Sequence, residues 1–201
     1  PVERRAVAGV SGVGRVVAGG IGPRAAARAA RDLLNDRPRC LLAAGFCGAL
    51  DPELRAADVV VADTVVDGAS GESFPADPEL LAAAAGHRGT LCSTPRVIAD
   101  REVRDALPGI AVDMESAAAA RAAREAGVPF LAVRAVTDAA HHRMPDLSGA
   151  IDLHGELAPA DVARHLARNP SDLLPTARLG FASARASRAL RRAVAHVVEN
   201  A

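Results

Sequence analysis

The chain is 201 residues long, carries 24 basic and 24 acidic side chains, is formally neutral, and is half hydrophobic. That balance leaves no electrostatic footprint for nucleic acid or an acidic membrane surface. With aromatics at 2% and no Trp or Tyr, it also offers no stacking platform for single-stranded nucleic acid. Every basic side chain is Arg, and the absence of Lys excludes a Schiff-base lysine and a Walker-type phosphate lysine.

In chain order, Gly14 to Ala18 reads as a short strand running into Gly19-Gly20-Ile21-Gly22. Pro23 then opens a helix, a position where its missing N–H has no intrahelical partner. Ala26, Ala30 and Leu33 share one face of that helix and Arg24, Arg28 and Arg31 another; Asn35 and Pro38 end it. Cys40 to Ala44 is a continuous apolar run of strand length, as in a strand covered on both faces, and it enters a small-residue turn, Gly45-Phe46-Cys47-Gly48. Asp58 to Val66 is the most β-branched stretch and reads as a strand. Gly68 to Pro78 reads as a loop, Leu91 to Ile98 as a loop or short strand, and a short helix follows, stopping near Pro108-Gly109. Ile110-Ala111-Val112 reads as a short strand. Asp113-Met114-Glu115-Ser116 opens an Ala-rich helix to about Ala126, which Gly127 ends. Val128 to Val136 is a strand ending at Thr137-Asp138. His141 to Asp152 is irregular, and from Pro159 the pattern is helical, broken at Asn169-Pro170, with Ser171 capping a long final helix. Strands interleaved with helices, closing on helices, make this a single α/β domain over 1–201.

Cys40, Cys47 and Cys92 are odd in number, form no CxxC pair and sit among small or apolar residues. They read as buried thiols of a reducing, cytoplasmic protein. No apolar run reaches the roughly 18–20 residues of a membrane span, and no signal peptide is visible. The sequence starts at Pro1 rather than Met, so an upstream segment is expected.

Gly20-Ile21-Gly22-Pro23-Arg24-Ala25 matches G-x-G-x-x-G/A in a strand–turn–helix setting, the fingerprint of dinucleotide binding. That reading fails at the next strand, which ends in Gly45-Phe46 without a ribose-binding acid. A helix N-terminus whose exposed N–H groups favour an anion remains, beside the plainer reading of a tight turn. Metal binding has no support: His141 and His142 are chain neighbours and cannot share a helix face, and Asp161 with His165 reads as a solvated i, i+4 pair. There is no G-x-S-x-G elbow.

Two acids stand apart. Asp138 ends the run PFLAVRAVTD, at the strand end where open α/β sheets present ligand-contacting groups, and Glu115 follows another strand end. Taken singly, each is better read as local structure: Asp113 as an N-cap, Glu115 as a first-turn acid stabilised by the helix dipole, and Asp138 as a loop cap. Together, at the carboxyl ends of consecutive strands, they fit one carboxyl as general acid and another, ionised, holding hydroxyls.

Residues 110–140, IAVDMESAAAARAAREAGVPFLAVRAVTDAA, resemble the signature region of the purine and uridine phosphorylase superfamily, which includes the methylthioadenosine/S-adenosylhomocysteine nucleosidases. There a V-E-M-E helix start precedes a strand ending R-x-[IV]-S-D. Gly45 to Asp63 resembles the block G-[ST]-x-G-G-L-x-P-x-L-x-x-G-D-[IV]-V, and Gly20 to Leu34 the G-I-G-x-x-x-A-A turn and helix. The likeness covers roughly residues 5 to 140. It implies a three-layer α/β/α fold with a central mixed, largely parallel sheet and a helical C-terminus, and a homo-oligomeric (dimeric) enzyme. The implied activity is cleavage of the N-glycosidic bond of a purine nucleoside without redox cofactor or metal, with phosphate as the possible co-substrate.

Carried over residue by residue, the resemblance makes Asp138 the acid that protonates the purine at N7. Glu115 becomes the carboxylate gripping the ribose hydroxyls, with Met114 its packing neighbour. Val97 and Ile98 fall where the family's backbone contacts the base. Gly45, Phe46 and Thr137 belong to the substrate site, and Gly22 to the phosphate or nucleophile region. Phe46 stands where many members carry Ser or Thr, Ala43 where hexameric phosphorylases carry a phosphate-binding Arg, Pro95 where the family has Asp, and Thr137 where it has Ser. The family's first strand has no counterpart before Pro1. The tail HLARNPSDLLPTARLGFASARASRALRR is similar to that of hopanoid-associated phosphorylases, which implies phosphorolysis of adenosylhopane to adenine and phosphoribosyl hopane. Hydrolysis of the nucleosidase type and a non-catalytic nucleoside-binding module are the alternatives.

Overall fold

The computed structural model describes residues 2–98, 101–138, 168–169 and 173–201, with the side chains of 2–3, 101, 138 and 173–181 outside the description. The stretches read from sequence as irregular or helical between His141 and Ser171, with both histidine readings, therefore lie outside the described residues except at 168–169.

Among the described residues, six strands form one mixed sheet. They are β1 (Leu41–Ala49), β2 (Val59–Asp67), β3 (Ser73–Pro75), β4 (His87–Ser93), β5 (Ala111–Asp113) and β6 (Phe130–Asp138). The order is β3-β2-β4-β5-β1-β6, and a further β2–β6 pairing closes the sheet on itself. The β1–β6, β2–β4 and β4–β5 pairs run parallel, and β1–β5, β2–β6 and β2–β3 antiparallel. The helices are α1 (Val2–Val7), α2 (Pro23–Leu34), α3 (Pro78–Ala82), α4 (Arg101–Asp105), α5 (Ser116–Ala126) and α6 (Leu173–Asn200). Among the described residues no helix is long and apolar enough to cross a membrane.

Side-chain alternation along β6 sorts the layers. Ala132 and Val136 join a core cluster with Ala30 of α2 and Ala117, Ala119, Ala120 and Ala123 of α5. Leu131, Val133 and Ala135 join the opposite cluster, with Val7 of α1, Leu80 of α3 and Leu190, Val194 and Val197 of α6. The period of two puts successive side chains on opposite faces, so the sheet is covered on both sides. The buried residues of α5, on the first face, are Ser116 and six alanines. Small side chains let α5 lie close to the sheet and to α2, and α5 ends at Gly127 in the left-handed conformation (φ 66°) that suits glycine.

Three sequence expectations are corrected. Gly14 to Ala18 forms no strand: it carries no regular secondary structure, Val16 packs on the α6-side cluster, and the stretch pairs with no strand among those described. Its β-branched residues signal burial, and a strand also needs a ladder partner. Gly45-Phe46-Cys47-Gly48 is not a turn but continues β1, because β6 supplies a parallel partner as far as Asp138. The loop from Gly68 to Pro78 contains β3, paired to β2. The strand near Leu91 also starts earlier, at His87. Among the described residues the remaining expected strands and helices form close to their expected bounds.

Candidate active site

Gly22 precedes Pro23 at the N-terminus of α2 with φ 90° and ψ 168°, a backbone region that is essentially glycine-only. That conformation aims its N–H across the layer at Glu115, whose Oε1 accepts it at 2.9 Å. Glu115 stands at the junction of β5 and α5, so the G-I-G turn and the acid of the D-M-E-S segment meet in space, 93 positions apart in sequence. Burial pushes the Glu115 carboxyl up from its ordinary range. The nearby charge of Arg134 and the N–H groups of Gly22 and Met114 oppose that, and Asp113 adds to it.

Arg134 is the central strand residue of this face. It lies in an otherwise apolar run and is buried, so its charge requires partners. Its Nη2 meets Asp113 Oδ2 at 2.6 Å, and Nε and Nη2 donate to Ser116 Oγ at 3.1 and 2.8 Å. The Asp113 carboxylate also accepts the Ser116 N–H at 3.1 Å, so it caps the first turn of α5 while pairing the arginine. Across the β1–β6 ladder Arg134 faces Gly45, and a Cβ at Gly45 would overlap the guanidinium Nη1. Glycine at that point is required by close approach.

The β1–β6 register shifts between Cys47 and Gly48, so that Cys47 matches Val136 and Gly48 matches Asp138. The extra residue is Thr137, whose hydroxyl donates to the Cys47 carbonyl at 3.4 Å. Bulges of this kind re-aim side chains near sites. Asp138 thus has a fixed backbone place at the end of β6, opposite Gly48, while its side chain lies outside the described residues.

Not every expected residue gathers here. Phe46 packs its ring on the α6-side cluster, across the sheet from Gly45 and Arg134, because alternation sends neighbours on β1 to opposite faces. Val97 is 58% exposed, and Ile98 is half-buried. Met114 lines a cleft of about 210 Å³ with Pro23, Ser93, Thr94, Pro95 and Arg121. Pro23 and Met114 are the chain neighbours of Gly22 and Glu115, so the cleft adjoins the bonded pair. At its rim Arg121 bonds Asp67 at 2.8 Å and Glu72 at 2.6 Å, and it stacks with Arg124 over Phe74. A larger groove, about 560 Å³, runs along the exposed Arg24 and Arg28 of α2; Asp32 lines it, and Glu115 and Asp113 do not. Sequence reading placed Asp113 at the helix start as a cap but missed its pairing with Arg134 and the roles of Arg134 and Ser116. The signal was available: a lone arginine within FLAVRAV calls for a buried acid, and the pattern R-x-[IV]-S-D contains it.

Residues 3–174 match the model of a family described as the phosphorylase superfamily. The chain is 30% identical over 167 residues to a 5′-methylthioadenosine/S-adenosylhomocysteine nucleosidase of Tolumonas auensis, covering 67% of this chain and 69% of that protein. A crystal structure of S-adenosylhomocysteine nucleosidase from Streptococcus pyogenes in complex with 5-methylthiotubericidin is 28% identical with a TM-score of 0.55. That match covers 61% of this chain, which spans 64% of the solved chain. The native futalosine hydrolase of Helicobacter pylori aligns at a TM-score of 0.67 over 91% of this chain and 78% of its own, at 15% identity, a likeness of fold alone.

Proposed function

Because the chain belongs to the phosphorylase superfamily, whose model spans residues 3–174, we propose that it cleaves the N-glycosidic bond of a purine nucleoside, an adenosine carrying a 5′ substituent. The observation that carries the reading is the Gly22–Glu115 bond at 2.9 Å. It holds a half-buried carboxyl just past the end of β5, and β1 joins that strand end to the end of β6, Gly48 pairing with Val112 on one side and Asp138 on the other. Breaking an N-ribosidic bond builds positive charge on the sugar and negative charge on the base. Glu115, ionised, holds the ribose hydroxyls and answers the first; Asp138, protonated, delivers a proton to the purine N7 and answers the second. Met114 packs against the sugar, Val97 and Ile98 offer backbone to the base, and Gly45 and Thr137 shape the floor through Arg134 and the Cys47 carbonyl. The chemistry asks for no redox cofactor or metal.

Water is the nucleophile that the nucleosidase relatives favour. Two features of this chain agree with it: Ala43 offers no charge for a phosphate, and the Gly22 N–H is already engaged by Glu115. Phosphorolysis of the hopanoid-associated type is the second reading, supported by the C-terminal likeness. In the same reading the enzyme works as a homodimer in the cytoplasm. The test is release of free base from 5′-methylthioadenosine, S-adenosylhomocysteine and a long-chain 5′-substituted adenosine, with and without phosphate. Release independent of phosphate supports hydrolysis, and strict dependence supports phosphorolysis. No release from any purine nucleoside, with retained nucleoside binding, leaves a binding module.

A further inference from the structure

Arg134 bonds the residues on both sides of Glu115. Its guanidinium pairs with Asp113, two positions before, at 2.6 Å, and donates twice to the hydroxyl of Ser116, one position after. Ser116 is completely buried, so no water replaces its oxygen as the acceptor of those two N–H groups. Gly45, opposite on β1, leaves the space that the third nitrogen fills. Four residues from β1, β5, α5 and β6 therefore fix one positive charge against the D-M-E-S segment. From this geometry we infer that Ser116 is a positioning residue: with Asp113 and Gly45 it clamps Arg134 against the segment that carries Glu115, fixing where the guanidinium charge stands relative to that carboxyl.

The balance of local charges requires such a clamp. A carboxylate taken out of water reverts to its neutral form unless an opposite charge or N–H donors hold it ionised. Among the described residues the charged groups acting on Glu115 are Arg134 from β6 and Asp113 from β5, and the N–H groups of Gly22 and Met114 donate to it. Asp113 alone would push Glu115 toward protonation, so its placement helps only if it secures the arginine. Ser116 resolves that conflict: a neutral acceptor holds the guanidinium on its Nε edge without adding a second negative charge. The serine hydroxyl thus does what a second acid could not.

The inference rests on Glu115 gripping the sugar, and its test does not depend on turnover. The full chain, with ¹³C-labelled glutamate carboxyls and Glu115→Gln to assign the signal, is titrated by NMR beside melting curves. Ser116→Ala is expected to move the Glu115 titration upward by about half a pH unit to one unit. The paired neutral variant Asp113→Asn with Arg134→Met leaves no unpaired buried charge; it is expected to move the titration in the same direction but less far, because losing Asp113 offsets part of the loss of Arg134. On active protein, the acid limb of the kcat/KM profile shifts with the titration. A Glu115 midpoint unchanged in both variants overturns the inference, even if both melt lower, because lost stability alone is what a merely structural serine would give. Shifted midpoints in a protein that cleaves no nucleoside would uphold the clamp while refuting the proposed function.

Discussion

Arg134 and Asp113 meet at 2.6 Å in the interior, side chains 6% and 0% exposed, and their bond joins the middle of β6 to the end of β5. A charge pair so placed is costly to form and more costly to break, because removing one partner strands the other. Asp113→Ala is expected to destabilise the protein by about 3–5 kcal/mol, seen as a lower denaturation midpoint at unchanged slope. The neutral pair Asp113→Asn with Arg134→Met should recover a large part of that loss. Equal midpoints for wild type and Asp113→Ala would show that the pair carries no such weight.

Gly45 and Arg134 should be energetically coupled. A methyl group at Gly45 overlaps the guanidinium, so Gly45→Ala is expected to cost about 1–3 kcal/mol by overpacking. In an Arg134→Met background the same substitution should cost less, since the space is then free. A double-mutant cycle measures the difference, and strictly additive effects would contradict the close approach.

Much of this arrangement was written in the sequence in a form that local rules can read. The β-branched run of β2, the Pro23 start of α2 and the Gly127 stop of α5 each follow from the conformational preference of a few residues. The three family-like blocks brought Glu115, Gly22 and Asp138 into one hypothesis. What local rules could not supply was pairing. Val16 and Val17 look like strand residues, yet whether they form one depends on a neighbour. Gly45-Phe46-Cys47-Gly48 looks like a turn because small residues are common there, yet Gly45 is small for the sake of an arginine 89 positions away, its partner in the β1–β6 register. The family resemblance puts Phe46 in the substrate site, yet the alternation of β1 turns its ring to the α6-side cluster.

The carboxyl of Glu115 is raised by burial above its ordinary value near 4.5, and the sign of its effect on stability follows. The folded state holds this proton more tightly than the unfolded chain. The resulting stabilisation is complete below the unfolded value and is lost as pH rises through the folded one. Glu115→Gln, which cannot ionise, escapes that loss. Its melting temperature relative to wild type should therefore climb as pH rises from about 4.5, while its activity falls. A melting difference that is flat with pH would mean that Glu115 titrates as it does in the unfolded chain.

Asp138 and Glu115 should fail in different ways if they hold the base and the sugar. With Asp138→Asn, turnover of natural nucleosides is expected to drop about 10²–10⁴-fold, the usual contribution of a positioned proton donor. A nitrophenyl riboside, whose leaving group departs as a stable anion and needs no proton, should lose far less. Glu115→Gln should injure both substrates alike, because it weakens the hold on the sugar and the stabilisation of its developing charge rather than activation of the leaving group. If the two acids only capped local structure, each substitution would lower stability by about 0.5–2 kcal/mol and activity would track the folded fraction. Measuring turnover on both substrates together with melting separates these cases. An Asp138→Asn protein that stays folded and turns over natural nucleosides at the wild-type rate ends the assignment of Asp138 as the acid.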